Sequence, residues 1–586
     1  MTALVLVMLA AVFLVYGPVF KAGFTNYDDD VLVTENPLIR GFTAKNLDGI
    51  FLSSYCGLYH PLVLFSYSVE YKLSGLDPLT FHLTNLALHA LNTLLVFWLI
   101  LIVGGNLPAA LLTAVLFGIH PVHVESVAWI AERKDVLYAL FYLASSLAYL
   151  YYVRGNGRTL YYASLLLFLC SLLSKPMAVT LPLLLFLFDF ALSRKFDIAG
   201  VAEKAPYFLL SAVFGTVTVA SQYASPDAAA GPAVSVPAAL AGTVNTVIFY
   251  LSKLIYPVRL SCFYPYWAGN WKDCFSSQTA VYIIFAALAA LFAYSFRRGK
   301  SVPFGAAFFL ISLLPVLQIL PFGQKIPADR YTYLASIGIF YIAARGFALA
   351  WQSSNKPLKA AAAFAGAGAV LLLCLAANAR CGVWKNSFTL WNDTLEKYPA
   401  LPQAYKNRAD AFKSIGVAGA ALADYGRALK LKPGYPQALN NRGNLFASMR
   451  DYPSAIEDYS AAVAVNQEYV SAIFNRAIAF EALKKYDEAA SDYGLAITKQ
   501  PRYYEAFNNR GILRARQGDY AKAIDDFTRA AVINPGFNEA LANRALAYFK
   551  AGFYPESARD VSLLVKRKYP VNPGLFGALI DKKLIK

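Results

Sequence analysis

The sequence has few charged residues, no long block of lysines and arginines and no cysteines at a metal-binding spacing. Only 15% of its 586 residues are charged and 58% are hydrophobic, which excludes an ordinary soluble protein. The net charge of +17 is dispersed over short loops and repeats, so it does not indicate nucleic-acid binding. Cys262 and Cys274 share one loop, so they can form a disulfide if that loop faces an oxidising compartment, and the sequence leaves open whether they do.

The N-terminus also lacks a basic region and a small-residue cleavage site, so we expect it to be retained as a first membrane span. Twelve apolar segments of about bilayer length lie before residue 380. Clusters of basic residues in alternate turns place loop 21–82 and the chain after residue 380 on the external side. Twelve spans that start from a cytoplasmic N-terminus would instead return the chain after residue 380 to the cytoplasmic side. We therefore predict about eleven, with the polar segment 238–257 lying at the interface.

Three consecutive acids, Asp28 to Asp30, directly follow the first apolar run. Adjacent carboxylates repel each other, and at a membrane boundary one of them is expected to be partly protonated. Such a pair suits a base that takes a proton from a hydroxyl, or a divalent cation site at Asp28 and Asp29. The alternative is a solvated turn outside the membrane.

Other ionisable residues are predicted at the same external level. His120 and His123 are three residues apart, but Pro121 interrupts the helix and no third metal ligand has a fixed spacing. We expect the histidines and a nearby acid to shape a cleft: His60, His120, His123 and Glu125. Four cations share this depth and either bind a membrane-anchored phosphate or contact lipid headgroups: Arg133, Lys134, Lys175 and Arg330.

From residue 402 the sequence repeats every 34 residues, the period of tetratricopeptide repeats. An Asn-Arg pair recurs in each of five repeats, and the arginines are expected to pair with aspartates on the same period, within or between repeats. The asparagines are predicted either to bind a peptide backbone in the concave groove or to satisfy a neighbouring helix: Asn407, Asn441, Asn475, Asn509 and Asn543.

Several motifs resemble the transmembrane and tetratricopeptide-repeat O-mannosyltransferase family of the GT-C superfamily. They are found at residues 24–37, 59–62, 82–85, 120–135, 174–176 and 329–333. The resemblance implies transfer of a sugar from a polyprenyl-phosphate carrier to an acceptor outside the cytoplasm, with inversion. It implies that Asp28 or Asp29 is the catalytic base, and that Arg330 and Lys175, with Arg133 or Lys134, stabilise the departing phosphate.

We therefore predict an all-α protein with a GT-C-like membrane domain over 1–380, a connecting half-repeat over 381–401, five tetratricopeptide repeats over 402–571 and a tail over 572–586. The expected function is an inner-membrane glycosyltransferase that modifies Ser or Thr of exported polypeptides held by external repeats. Its partners would be the lipid-linked sugar, the polypeptide and membrane lipid, with no nucleic acid. The alternatives are a non-catalytic membrane scaffold, or a transferase acting on a glycan or lipid.

Overall fold

The computed structural model describes residues 2–55, 57–223, 236–265, 278–317 and 327–585, which form two units, Met1–Pro399 and Ala400–Lys586. Within those residues the regular elements are helices, and β-type pairing is limited to one isolated bridge between Tyr55 and Leu58. The predicted all-α class is therefore confirmed for the described part of the chain.

The described part of the first unit contains helices α1 to α17. Their bounds are α1 Thr2–Val15, α2 Ala44–Phe51, α3 Pro61–Ser74, α4 Pro78–Gly104, α5 Leu107–Ile119, α6 Val124–Ala128, α7 Arg133–Val153, α8 Arg158–Leu172, α9 Leu181–Ala191, α10 Ile198–Ala202, α11 Ala205–Tyr223, α12 Val236–Ile255, α13 Gln278–Ser295, α14 Ser301–Leu313, α15 Ser336–Gln352, α16 Lys356–Val383 and α17 Ser387–Lys397. Short 3-10 turns join several of them. Pro121 and Pro176 start two of these turns, because proline has no N–H with which to continue a preceding helix.

Three helices in the described ranges are long and apolar enough to cross a membrane: α4, Ile130–Val153 and α16. A fourth span results if Leu107–Ile119 and Pro121–Ala128, which meet at 49°, form one broken span. The predicted eleven spans are therefore not confirmed. Several other apolar segments form shorter helices, among them Thr2–Val15 and Ala241–Ile255, which lies within the predicted interfacial segment 238–257.

The second unit is a series of antiparallel helices that follows the 34-residue period. Their bounds are α18 Pro402–Ser414, α19 Ala418–Leu431, α20 Pro436–Ser448, α21 Tyr452–Val465, α22 Val470–Ala482, α23 Tyr486–Lys499, α24 Tyr504–Arg516, α25 Tyr520–Ile533, α26 Asn538–Lys550, α27 Tyr554–Lys566 and α28 Pro573–Asp581. Small residues allow the paired helices to approach closely, since a Cβ on Gly443 would lie 2.7 Å from the ring of Tyr459. In the predicted tail, Leu575 and Leu579 of α28 pack on Ala545 and Val561 of the last repeat.

The predicted arginine–aspartate pairs are confirmed, and each lies within one repeat. In every case the arginine Nε and one terminal nitrogen donate to the two carboxylate oxygens of the aspartate 16 residues later, at 2.6–3.0 Å. The pairs are Arg408–Asp424, Arg442–Asp458, Arg476–Asp492, Arg510–Asp526 and Arg544–Asp560. This two-point geometry fixes the helix pairing in each repeat.

Candidate active site

A row of buried polar side chains on α4 positions the segment that carries most of the site. Asn85 Nδ2 donates to the carbonyl oxygens of Val127 at 3.3 Å and Trp129 at 3.1 Å, and Asn92 Nδ2 donates to that of Val136 at 2.8 Å. The Val127 and Trp129 carbonyls lie at the end of the short helix α6, so they need donors from outside that helix, whereas the Val136 carbonyl lies in the first turn of α7. Asn85 and Asn92 of α4 therefore hold the backbone on both sides of Glu132.

Three of the four predicted cations converge on Glu132. Its carboxylate lies 3.1 Å from Lys134 Nζ, 3.2 Å from Arg330 Nε and 3.6 Å from Lys175 Nζ, and Lys175 is also paired with Asp135. The Glu132 side chain is 1% exposed, whereas the cations retain 10 to 16% exposure. An anion entering from solvent would therefore meet the cations before it met Glu132.

The ring of Trp129 connects these cations to the first acidic loop. The Arg330 guanidinium lies 5.4 Å from the ring centroid and Lys134 Nζ lies 5.7 Å from it, within the range of cation–π attraction. Tyr27 stacks on the same indole, with ring centroids 4.4 Å apart. Glu125 orients Arg330 through an ion pair and by accepting from its backbone N–H. The residue before Asp28 thus packs on the tryptophan that contacts two of the cations.

The two candidate catalytic acids occupy opposite environments. Asp29 is 1% exposed; one carboxylate oxygen accepts from Thr25 N at 2.8 Å and Thr25 Oγ1 at 2.9 Å, and the other accepts from Ala131 N at 2.8 Å. Burial raises the pKa of Asp29 to about 7, although these hydrogen bonds oppose the rise. Asp28 is exposed, at a φ of 72° that few residues other than glycine adopt. Asp29 is thus a structural anchor, and Asp28 presents its carboxylate to the outside.

Helix α17, which lies in the predicted connecting segment, holds the two residues that precede Asp28. Trp391 Nε1 donates to Asn26 Oδ1 at 2.7 Å, and the Asn26 N–H donates to Ser387 Oγ at 2.9 Å. The edge of the Trp391 ring also contacts Tyr27, at a centroid separation of 5.3 Å. The strained residue Asp28 is therefore preceded by two anchored residues and followed by a third, Asp29.

Arg133, the fourth predicted phosphate-binding cation, does not join the cluster. It is fully buried, with NH1 2.8 Å from Glu70 Oε2, NH2 2.9 Å from the Phe81 carbonyl oxygen and Nε bonded to Asn85. Adjacent residues on a helix point about 100° apart, so Arg133 and Lys134 cannot share one face. Arg133 packs α7 against α3 and α4, and the structure does not bring it together with the other three predicted phosphate-binding cations.

The predicted cleft-shaping residues separate into two groups. His120 Nε2 bonds the Leu254 carbonyl at 3.1 Å, and His123 bonds the Phe117 carbonyl at 2.8 Å and Ser336 Oγ at 3.0 Å, so both pack helices together. His60 is 3% exposed, and its Nε2 has no hydrogen-bond partner within the described residues. Burial and the charges of Lys134 and Lys175 lower the pKa of His60 to about 3, so it is neutral.

The surroundings of Asp29 do not favour a divalent cation at Asp28 and Asp29, because the Asp29 carboxylate is 1% exposed and accepts from three N–H and O–H groups, whereas such ions take several oxygen ligands. A cation at this pair stays a prediction. No cluster of three or more His, Cys, Asp or Glu suited to a metal is found in the part of the chain that the structure describes. Cys262 Sγ lies 3.1 Å from Thr394 Oγ1. Cys274 lies outside the described residues, so the disulfide stays a prediction.

Sequence reasoning missed Glu132 and Trp129 as members of the site. Both lie inside the motif 120–135 that was singled out, but nothing in the motif shows which acid the distant Lys175 and Arg330 approach. The alternation of Glu132 with Arg133 and Lys134 was the available signal, because an acid buried among cations needs them as partners.

The repeat asparagines are half-buried, or buried in the case of Asn407, and several of them bond the preceding repeat. Asn475 Nδ2 donates to Asn440 Oδ1 and Asn444 Oδ1, both at 3.0 Å, and Asn543 Nδ2 donates to Asn508 Oδ1 at 3.0 Å. Their amide hydrogens therefore join neighbouring repeats. The side-chain oxygen Oδ1 of Asn475 is therefore the atom that can accept a hydrogen bond from a peptide N–H.

Comparison with known proteins finds one family model and several similar proteins. The tetratricopeptide-repeat family model matches residues 406–464, 440–504, 474–538 and 508–573. The chain is 25% identical over 427 residues to protein O-mannosyl-transferase TMTC4 of Homo sapiens, across 63% of this chain and 57% of that protein. It is 35% identical over 147 residues to protein O-mannosyl-transferase TMTC1 of Mus musculus, across 23% of this chain and 15% of that protein. The chain thus spans little more than half the length of the first of these relatives.

Among solved structures, YrrB, described as a tetratricopeptide-repeat protein with an unusual peptide-binding site, is 21% identical. It covers 33% of this chain and 98% of its own length, with a TM-score of 0.29.

Proposed function

We propose that this chain, a relative of the protein O-mannosyl-transferases, is a membrane glycosyltransferase that moves a sugar from a polyprenyl-phosphate carrier to a hydroxyl group. The observation that carries the proposal is the convergence of Lys134, Lys175 and Arg330 on one buried acid beside Trp129. A scaffold that only recruits proteins has no use for partly exposed cations gathered from three distant parts of the chain.

The cations suit the departing phosphate of the donor. When the bond between the sugar C1 and the phosphate oxygen breaks, the bonding electrons stay on the phosphate, and fixed cations stabilise the added charge. The guanidinium of Arg330 offers a planar fork that suits phosphate oxygens. Because Glu125 and Glu132 hold Arg330 in place, little reorganisation is needed when the carrier binds.

Asp28 is the base in this proposal. It takes the proton from the acceptor hydroxyl as that oxygen forms a bond to C1, and the phosphate leaves from the opposite face. A single displacement of this kind inverts the anomeric centre and releases the polyprenyl phosphate. Asp29 has a positioning role, since its hydrogen bonds to Thr25 and Ala131 hold the loop that carries Asp28.

For the acceptor we propose Ser or Thr hydroxyls of exported polypeptide that the tetratricopeptide repeats hold. The repeats support this part of the proposal, because such arrays commonly present a concave surface to peptides. We also propose a multi-pass protein of the inner membrane with its repeats on the external side, following the distribution of basic loops.

The test compares Asp28→Asn with Asp30→Asn, a matched loss of one carboxylate two residues away. The first variant should lower the rate of transfer from polyprenyl-phosphate mannose to a Ser- or Thr-containing peptide by about 10²- to 10⁴-fold. The second should retain the rate, because the asparagine side chain can still accept from the Val31 N–H that Asp30 bonds at 2.9 Å. Peptide binding should be unchanged in both. Normal glycosylation of exported proteins by the Asp28→Asn variant, measured by mass spectrometry in cells, would refute the catalytic assignment.

A further inference from the structure

A second cationic pocket lies in the first unit, and it shares no residue with the cluster around Glu132. It is an open cavity of about 230 Å³ between the last turns of α16, helix α17 and the segment after α12. Arg259, Arg380 and Lys397 line it, together with a single acid, Asp393. Asp393 bonds both Arg380 NH1 at 2.6 Å and Lys397 Nζ at 2.5 Å.

The pocket has more positive charge than its acids neutralise. The three cations against Asp393 leave a net charge of +2 on the lining. Burial and the neighbouring Arg380 lower the pKa of Lys397, and the effect of Arg380 is the one expected where like charges gather. Such a surplus of positive charge in an open pocket favours an anionic ligand.

The geometry of the three cations shows a built site. The Lys397 ammonium donates to the Leu260 carbonyl at 2.6 Å, and Arg259 NH2 donates to the Lys397 carbonyl at 2.9 Å. Arg259 adopts a φ of 51°, which is uncommon outside glycine. Its backbone is therefore held in an unusual conformation at the point where its side chain reaches the pocket.

One wall of the pocket is apolar and continues into an exposed apolar surface of α16, a helix long and apolar enough to cross a membrane. Ala376 and Ala379 line the pocket, and Leu371, Leu372 and Leu375 are 60 to 68% exposed on the preceding turns of this span. At 1.5 Å per residue, those leucines lie roughly 8–14 Å along the helix axis from Arg380. A ligand in the pocket would thus have cations at one end and a membrane-exposed apolar track at the other.

From this arrangement we infer that the pocket lined by Arg259, Arg380 and Lys397 binds the phosphate of an anionic membrane lipid, whose acyl chain lies along the alanine and leucine side of α16. Arginine is suited to two-point contact with phosphate oxygens, and basic pockets beside spans recognise lipid headgroups in this way. The inference concerns binding and does not depend on the proposed transferase reaction.

The test uses the full-length chain in detergent, with lipid binding followed by native mass spectrometry. The wild type should bind phosphatidylglycerol at least about tenfold more tightly than phosphatidylcholine, whose choline cancels the headgroup charge. Arg259→Gln/Lys397→Gln should lose that preference while Arg380 still pairs with Asp393. Lys356→Gln/Lys359→Gln removes two charges from the other end of α16 and should keep the preference for phosphatidylglycerol. The proposal would be overturned if both double variants lost this preference equally, or if neither lost it.

Two further measurements separate the sources of phosphate and guard against misfolding. Ala379→Trp fills the apolar wall without changing a charge, so it should weaken phosphatidylglycerol binding and leave inorganic phosphate binding intact. Inorganic phosphate at roughly 10 mM could raise the melting temperature of the wild type and not that of Arg259→Gln/Lys397→Gln. If Ala379→Trp also had no effect on lipid binding, a membrane lipid would not be the source of the phosphate that this pocket binds. The phosphate site would stand and the lipid assignment would fail.

Discussion

The two units place their buried ion pairs at very different separations along the chain. In the repeats, arginine and aspartate are 16 residues apart, five times over, so each pair forms within one helical hairpin. In the first unit, Arg330 and Glu125 are 205 residues apart. Local pairs recur with the period of the fold and stabilise it, whereas long-range pairs assemble only when the whole unit has folded. The difference teaches that the candidate site, unlike the repeats, draws some of its ion pairs from distant parts of the chain, as Arg330 with Glu125 and Lys175 with Asp135 show.

The sharpest test of this comparison removes one arginine of each kind. Arg330→Gln should lower the rate of sugar transfer by about 10²- to 10³-fold, because it removes charge stabilisation of the leaving phosphate. It should also destabilise the fold by about 3–5 kcal/mol, since Glu125 stays buried without its cation. Transfer kinetics and thermal unfolding in detergent measure the two effects.

Arg442→Gln is the matched change in the repeats. It leaves Asp458 short of a partner, so we expect a loss of about 1–3 kcal/mol in unfolding free energy and no change in the rate of the chemical step. If Arg442→Gln slowed transfer as much as Arg330→Gln, the division between stabilising local pairs and functional distant pairs would be wrong.

A smaller effect is expected at Asp29. Its two oxygens accept hydrogen bonds from three donors, and Asn has only one acceptor oxygen. Asp29→Asn therefore leaves either the Thr25 or the Ala131 backbone N–H without an acceptor. The expected loss is about 1–3 kcal/mol in unfolding free energy, measured at about pH 8, with a lower transfer rate as the acidic loop loosens. A variant that is fully stable but inactive would instead make Asp29 the base.

The sequence predicted the periodic part of the molecule well and the division of roles within the site poorly. The 34-residue period gave the repeats and their ion pairs, because those contacts depend on spacing alone. The roles of Asp28 and Asp29 could not be separated, since they depend on a φ of 72° and on a hydrogen bond from Ala131, which is 102 residues away. Helix geometry alone could have shown that Arg133 and Lys134 do not enter the same site, because adjacent residues on a helix point in different directions.

The pH dependence of stability should also distinguish the site from the repeats. The folded state holds the proton of Asp29 up to about pH 7, whereas an unfolded aspartate loses it near its ordinary pKa of 3.8. Folding therefore takes up a proton between these values, and the unfolding free energy should rise as pH falls from about 8 to about 5. Asp29→Asn should reduce this rise by the share that Asp29 contributes. If the variant keeps the same slope, the rise comes from another group.

The weakest effect is expected in the repeat asparagines, where the structural and peptide-binding roles overlap. Asn475→Ala removes two hydrogen bonds to the preceding repeat, which should cost about 1 kcal/mol, and it removes the acceptor offered to a peptide N–H. Polypeptide affinity should therefore fall by about fivefold. Asn466→Ala is the control, because its side chain bonds an exposed turn N–H two residues on. If Asn475→Ala lowered stability while polypeptide affinity matched the control, this asparagine would serve only to join repeats, and peptide capture would depend on other residues.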